Sequence, residues 1–132
     1  MESGALIELH AHILPQMDDG SESVEMSLAM LQALAEMGVG TVCATSHYYA
    51  RENSITMYLA RRAAALNALH SAIPAGSSLP HILPAAEAAY FRGMEEHHPE
   101  RLCIENTRTL MLEMPFSCLL YTSPSPRDGL LS

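Results

Sequence analysis

The chain of 132 residues has the length of one domain, and its 48% hydrophobic content is enough to form a buried core. Its 15 acidic residues outnumber its 7 basic residues, and the formal net charge of -8 makes nucleic acid and anionic membranes unfavourable partners. Three cysteines at wide spacing, and no basic start followed by an apolar stretch, predict a cytoplasmic protein without a disulfide framework.

The first predicted element is a strand over residues 5–9, and a loop rich in Pro, Asp and Gly follows it. His10 and His12 flank a single alanine. In an extended segment both imidazoles therefore lie on one side, where they can bind one metal ion together. The loop contains the sequence Asp-Asp-Gly at residues 18–20, which is also typical of a simple turn.

A helix is predicted next, with Ser21 or Ser23 as its N-cap and Gly38 close to its end. A methionine-rich stripe recurs at helical spacing along it, and such a stripe is expected to belong to the core. The stripe consists of Met26, Met30, Leu34 and Met37.

A second strand is predicted over residues 41–45, and it leads into His47. A second helix is predicted over residues 54–70, and the Pro-, Gly- and Ser-rich segment 74–78 ends it. The uncharged run 63–86 is long enough to cross a bilayer, but its three prolines exclude a membrane-spanning helix. Membrane insertion is therefore not expected.

The last predicted elements are a third strand over residues 81–86 that ends at Glu87, a short helix around 90–97, and a fourth strand over 110–114 that carries Glu113. Strands that alternate with helices predict an α/β fold with parallel pairing. In such folds the functional groups collect at the carboxyl ends of the strands.

The predicted strand ends bring together imidazoles and carboxylates, with an Asp from the first loop. This mixture favours Mn, Fe or Zn over Ca or Mg. Carboxylates that bridge such ions favour hydrolysis of a phosphoester, because bridged ions lower the pKa of a shared water and hold a phosphoryl oxygen. Hydrolysis of an amide or a cyclic imide stays open. The strand-end ligands are His10, His12, His47, Glu87 and Glu113.

A cysteine-based phosphatase is excluded, because its phosphate loop needs an arginine at a fixed distance after the nucleophilic cysteine. Tyr49 and Thr109 occupy that position after Cys43 and Cys103. The remaining histidines are expected to be ordinary surface residues: His70, His81, His97 and His98.

Four segments, in order, resemble the PHP-type protein tyrosine phosphatases of bacterial capsule and exopolysaccharide clusters. The resemblance extends over residues 5–117. It rests on residues 7–15 together with 18–20, on Ala-Thr-Ser-His at 44–47, on Ala-Glu at 86–87 and on Leu-Glu-Met-Pro-Phe at 112–116.

The resemblance implies a partial PHP-type distorted β/α barrel, similar to a TIM barrel, of which this chain supplies about four parallel strands with their helices. It also implies three metal ions, usually manganese, and a phosphotyrosine protein as substrate, such as a bacterial tyrosine kinase of polysaccharide synthesis. A histidinol-phosphate phosphatase of the same superfamily is the alternative enzyme. The alternative of another class is an inactive, truncated metal-binding fragment.

The resemblance assigns two of the ions by matched position. His10 and His12 hold one ion, and Glu87 bridges it to a second ion that Glu113 also binds.

The resemblance also implies that Asp19 and His47 bind the third ion. Asp18 replaces Asp19 if the loop register differs by one. Glu8 and Ser46 depart from the family, which usually has Asp and Pro at these positions. Both departures are expected to change the geometry around the ligands rather than to abolish binding.

The resemblance also predicts the limits of the domain. Residues 1–117 are the N-terminal part of the phosphatase domain, and the family's remaining ligands and phosphate-binding arginines come from later strands. Residues 118–132 no longer resemble the family, and residues 120–128 within them resemble a translated sequencing adapter. We interpret 118–132 as a disordered or artefactual tail. The chain as given is therefore expected to be inactive.

Overall fold

The computed structural model describes residues 5–114, which form two α-helices and six short strands. Two turns of 3-10 helix, Met94–His97 and Pro99–Leu102, replace the short helix predicted around residues 90–97. The proposed tail at 118–132 lies outside the described residues. The elements are β1 Leu6–Ala11, α1 Val24–Glu36, β2 Val39–Ala44, β3 His47–Tyr48, α2 Ile55–Ala72, β4 His81–Pro84, β5 Glu87–Ala89 and β6 Met111–Glu113.

The strands form two parallel three-stranded sheets, with the orders β1-β2-β4 and β3-β5-β6. Every pairing within them is parallel, which confirms the predicted α/β fold. The described residues contain six strands rather than about four, because two of the predicted strands are each broken into two pieces.

Both breaks occur at the same level. Ala44 pairs with Pro84 at the end of the first sheet, and His47 pairs with Glu87 at the start of the second. Pro84 has no backbone N–H and cannot continue the ladder as a donor. The second sheet is thus a kinked continuation of the first, and its first pair of residues consists of two predicted metal ligands.

Helix α1 has the predicted limits. The Ser23 hydroxyl accepts a hydrogen bond from the Met26 N–H at 3.0 Å, and Gly38 follows the helix in the left-handed region at φ 90°. The expectation that the methionine stripe is core was wrong for its two ends, because Met26 is 41% and Met37 is 69% exposed. The buried face instead carries Ser27, whose hydroxyl donates to the carbonyl of Ile13 in the loop after β1.

Helix α2 begins after Ser54, whose hydroxyl accepts from the Met57 N–H at 3.1 Å. It packs beside α1, and α1 in turn packs against β2 of the first sheet. Within residues 5–114, no helix combines the length and the apolar character needed to cross a bilayer. The core between helices and strands includes the fully buried side chains of Ile13, Leu14, Leu31, Val42, Tyr58, Leu69 and Leu102.

Candidate metal centre

The two histidines at the end of β1 both approach one oxygen atom of Glu87. The Nε2 atoms of His10 and His12 are 3.2 Å apart, and they lie 2.9 Å and 3.1 Å from Glu87 Oε1. Both imidazoles project from the same side of β1, as the spacing of two residues predicts. The structure therefore brings these three predicted ligands together.

The second sheet adds His47 and Glu113. His47 Nδ1 lies 3.7 Å from Oε1 of Glu87 and 3.7 Å from Oε1 of Glu113. Because β5 pairs Ala89 with Glu113, the Glu113 side chain projects from the same face as Glu87, two residues further along the sheet. Parallel pairing thus aligns groups that are distant in sequence.

The donor atoms fit divalent cations. Oε1 of Glu113 is buried, although the side chain as a whole is 42% exposed, and it has no hydrogen-bond partner among the described residues. A buried carboxylate oxygen without a donor is costly unless a cation neutralises it. In each of three overlapping sets the ligand atoms lie within 4.8 Å of one another: His10, His12 and Glu87; His12, Asp18 and His47; and His47, Glu87 and Glu113.

Asp18 is the most strongly hydrogen-bonded carboxylate of the site. Its Oδ2 accepts from His12 Nδ1 at 2.8 Å and from the His47 N–H at 3.0 Å, and its Oδ1 accepts from the Gly20 N–H at 2.9 Å. Burial by itself raises the pKa of Asp18, but the hydrogen bonds from His47, His12 and Gly20 outweigh it and lower the pKa below its usual value. Asp18 is therefore ionised and fixes His12 with Nε2 facing Glu87.

Asp19 is the one predicted ligand that the structure does not place in a ligand set. Its side chain is exposed, and together with Asp18, His47 and Arg61 it lines a recess of about 270 Å³. Both oxygens of Asp18 are engaged by N–H groups, so Asp18 is better suited to orient His12 than to bind an ion. The role of Asp19 as a ligand from the wall of this recess stays a prediction.

Gly20 is required by the close approach of the loop to β1. A Cβ atom at this position would lie 2.5 Å from both the Cβ and the carbonyl oxygen of His12. Such distances are far below van der Waals contact, so only glycine fits without displacing His12 or the Asp18 carboxylate.

Tyr49 was not among the predicted site residues, although it lies two residues after His47 and therefore on the same side of the chain. Its hydroxyl is 3.1 Å from His47 Nδ1, and the two rings stack with centroids 5.3 Å apart. Burial, and then the negative charges of Glu113 and Glu87, raise the pKa of Tyr49, which keeps the phenol protonated. The same-face rule for extended segments would have identified it from the sequence.

The remaining histidines are exposed, as expected, and none of them belongs to a ligand set within residues 5–114. Cys43 and Cys103 are free thiols. Burial raises the pKa of Cys43, and the charge of Glu8 raises it further, which disfavours the thiolate that a nucleophile requires. The structure thus agrees with a site in which the thiols take no part. The exposed histidines are His70, His81, His97 and His98.

Comparisons with known proteins point to one family. Residues 6–120 match the family described as "Capsular polysaccharide synthesis, CpsB/CapC". A curated relative, tyrosine-protein phosphatase YwqE of Bacillus subtilis (strain 168), is 29% identical over 113 residues. This alignment covers 84% of the chain and 44% of the relative.

A solved structure also matches the fold. It is described as "Crystal structures of YwqE from Bacillus subtilis and CpsB from Streptococcus pneumoniae, unique metal-dependent tyrosine phosphatases", and it superposes with a TM-score of 0.68 at 27% sequence identity. The match covers 84% of this chain and 45% of that chain. The chain therefore spans less than half the length of the relatives that it matches.

Proposed function

Because the chain belongs to the CpsB/CapC family of capsular polysaccharide synthesis proteins, we propose that it forms the first part of a metal-dependent phosphatase that hydrolyses phosphotyrosine in proteins. The two relatives named above are both described as tyrosine phosphatases. Since the chain spans 44% of the curated relative, the activity is assigned to the full-length protein that carries this sequence.

The observation that carries the proposal is the position of Glu87. One oxygen of this carboxylate lies within 3.7 Å of ring nitrogens of three histidines, and the unpartnered oxygen of Glu113 lies beyond the third. Carboxylates shared between imidazole clusters are suited to hold neighbouring cations together. If Glu113 had only a structural role, its buried oxygen would be expected to accept a hydrogen bond from a neighbouring donor.

The residues present would hold two ions through His10, His12, Glu87 and Glu113, and a third through His47 with an aspartate of the first loop. Manganese is the proposed metal, with iron or zinc as alternatives, since the donors are imidazoles and carboxylates. When bound, such ions lower the pKa of a water molecule and polarise a phosphoryl oxygen. The chain's own part is to fix the positions of the donors.

The partner that we propose is a phosphotyrosine protein, such as a bacterial tyrosine kinase of polysaccharide synthesis, in the cytoplasm. The support for this partner is the family description alone. The acidic composition argues against nucleic acid as an alternative partner.

The test measures phosphate release by the full-length protein from a phosphotyrosine peptide and from histidinol phosphate, with manganese and after chelation. Glu87→Gln and His10→Ala are expected to lower turnover by more than about a hundredfold. Removal of a group that only hydrogen-bonds to a metal ligand already lowers metal affinity or activity by about tenfold to a hundredfold. His70→Ala, an exposed histidine of α2, is the matched control and should change little.

Three outcomes would contradict the proposal. Faster turnover of histidinol phosphate would favour the alternative phosphatase of the superfamily. Metal binding without any turnover would favour an inactive remnant. Near-normal rates in Glu87→Gln would refute the assignment of the site.

A further inference from the structure

The two strand breaks that precede His47 and Glu87 each leave buried residues outside the ladders. Ser46 lies between β2 and β3, and Ala85 lies between β4 and β5; both residues are fully buried. Bulk water does not reach their carbonyl groups, which therefore need hydrogen-bond donors from the protein. These donors determine how firmly the ligands that follow are held.

Helix α2 supplies a donor to each break from one face. The Tyr58 hydroxyl donates to the Ser46 carbonyl at 2.7 Å, and the Arg62 guanidinium donates through Nη1 to the Ala85 carbonyl at 2.8 Å. Tyr58 and Arg62 are four residues apart, so their side chains project from the same side of the helix. One turn of α2 thus contacts both breaks.

The side chain of Arg62 is itself held in place. Its guanidinium carbon lies 6.0 Å from the centroid of the Tyr58 ring, in a cation–π contact. Arg62 is half-buried, and within residues 5–114 it forms no salt bridge. Burial lowers the pKa of Arg62, but a guanidinium stays protonated at neutral pH. Its bond to Ala85 is therefore charge-assisted and roughly twice as strong as a bond between neutral groups.

These contacts bear on the position of Glu87. Glu87 lies two residues after Ala85, and its own N–H donates to the Ser46 carbonyl at 3.0 Å. Its main chain is thus fixed at its own amide and again two residues earlier. Metal ligands have to keep their positions to within about 0.5 Å. Because one oxygen of Glu87 faces ring nitrogens of three histidines, a small shift of its main chain would change all three distances.

We infer that Arg62 is a positioning residue of the metal centre, which acts through the Ala85 carbonyl to hold Glu87 against the histidines. The inference rests on the proposed metal-dependent function and adds to it a group that is not itself a ligand and lies on a helix. The competing account is that Arg62 only stabilises the fold. Its removal would then lower the free energy of unfolding and leave the metal affinity of the folded protein unchanged.

The experiment measures the manganese affinity of the full-length protein by competition with a chromophoric chelator. Arg62→Met keeps an unbranched side chain and removes the donor, so manganese binding should weaken by about tenfold to a hundredfold, as for other groups that orient a ligand. Arg62→Lys restores a charged donor for the single carbonyl and should recover part of the affinity. Arg108→Met makes the same change at an exposed arginine and should leave the affinity unaltered.

A double-mutant cycle separates the position of Glu87 from general stability. If Arg62 acts through Glu87, Arg62→Met should weaken manganese binding little further in a Glu87→Gln protein, which retains the proposed donors of the third ion. An effect through general stability would instead add to that of Glu87→Gln in full. Circular dichroism of each variant checks that it is folded. Arg62→Gln, whose amide is too short to reach Ala85, takes the place of Arg62→Met if the latter does not fold.

The inference is overturned if folded Arg62→Met binds manganese as tightly as the unmodified protein, or if its loss of affinity is equally large in the Glu87→Gln protein. It is also overturned if Arg62→Lys binds as weakly as Arg62→Met, because a charged donor at this position would then have no effect. Failure of the unmodified full-length protein to bind manganese would instead contradict the proposed function itself, together with the inference that rests on it.

Discussion

Glu87 is the residue at which the two histidine-bearing segments of the site meet. It contacts His10 and His12 from β1 and approaches His47 from β3 through one and the same oxygen atom. Its side chain is only 14% exposed, so these contacts are weakly screened by solvent. A single carboxylate can hold this position because the strand register places it opposite His47.

The two aspartates of the first loop are expected to have different roles. Asp18→Asn should weaken metal affinity by about tenfold to a hundredfold, because an amide cannot accept all three of the N–H groups that now fix His12 and the loop. Asp19→Asn should instead lower the number of bound ions. Competition with a chromophoric chelator measures the affinity, and elemental analysis of the dialysed protein measures the number of ions.

The same measurements can contradict this division. An unchanged affinity in Asp18→Asn would show that the orientation of His12 does not depend on this carboxylate. If Asp18→Asn rather than Asp19→Asn loses an ion, Asp18 is the ligand, in keeping with its place beside His12 and His47.

Gly20→Ala tests the close approach of the loop to His12. The added Cβ atom would lie 2.5 Å from the His12 carbonyl oxygen, so the loop must move away and carry Asp18 with it. We expect weaker metal binding and a loss of stability of about 1–3 kcal/mol, as for other overpacked positions. Gly76→Ala is the control for replacing a glycine, because no atom lies within 4 Å of the added Cβ. An alanine at its φ of 79° is strained, so this variant also shows the cost of backbone strain without a steric clash. Unchanged metal affinity in Gly20→Ala would contradict the steric argument.

The sequence contains much of the site at the residue scale, because alternation along a strand is a strict rule. It predicts that His10 and His12 share a side, and it predicts the strand ends that carry His47 and Glu87. The hydrogen bonds of Asp18 could not be predicted in the same way, since they depend on the path of an irregular loop and on a backbone N–H that lies 29 residues away in sequence.

Helix α2 supports the ligand-bearing kink between β2 and β3. The buried Tyr58 hydroxyl donates to the Ser46 carbonyl at 2.7 Å, and the Glu87 N–H donates to the same oxygen at 3.0 Å. The Ser46 hydroxyl itself is buried and has no partner within residues 5–114. One carbonyl thus connects the helix, the kink and β5.

Tyr58→Phe is expected to lower the free energy of unfolding by about 1–2 kcal/mol, because it removes the donor of a buried hydrogen bond and leaves the ring in place. Denaturant titration measures the loss, and metal affinity should fall with it, since the Ser46 carbonyl lies next to His47. Tyr90→Phe gives a matched change at a half-buried tyrosine that lies outside this kink. An equal loss in both variants would argue against a specific role of the α2 contact.

At the scale of elements, the sequence predicted both helices within a few residues, because their caps and stops are local signals. The break of the second and third strands was not predicted. A strand of two residues, such as β3, is too short to show any periodicity. The break exists because Ala44 and Pro84 end their ladder at the same level, which is a property of the pairing and not of either segment alone.

For the whole molecule, metal binding is expected to raise the free energy of unfolding. Several carboxylates lie close together in a chain whose formal net charge is already -8, so ions that bind only the folded state stabilise it. Manganese at about a hundred times its dissociation constant should add about 2.7 kcal/mol, which raises the melting temperature by several degrees. Thermal unfolding with manganese and with excess chelator measures this difference. An equal increase with calcium, or in Glu87→Gln, would contradict binding at the proposed centre.

Strand β1 lies at an edge of the first sheet. Among the described strands β1 pairs only with β2, and its apolar side chains Leu6, Ile7 and Leu9 are 58%, 60% and 56% exposed. An edge strand with exposed apolar residues favours pairing with another chain. We therefore expect the chain of 132 residues to self-associate and to have no substantial phosphatase turnover.

Size-exclusion chromatography with light scattering measures the association as a function of concentration. The double variant Ile7→Lys and Leu9→Lys should shift the chain toward monomer, because charges on an edge strand oppose pairing. Met57→Lys introduces one such charge at a similarly exposed apolar residue of α2 and should leave the association unchanged. A soluble monomer of the unmodified chain with substantial manganese-dependent turnover would contradict this expectation, because β1 would then need no further partner for a working site.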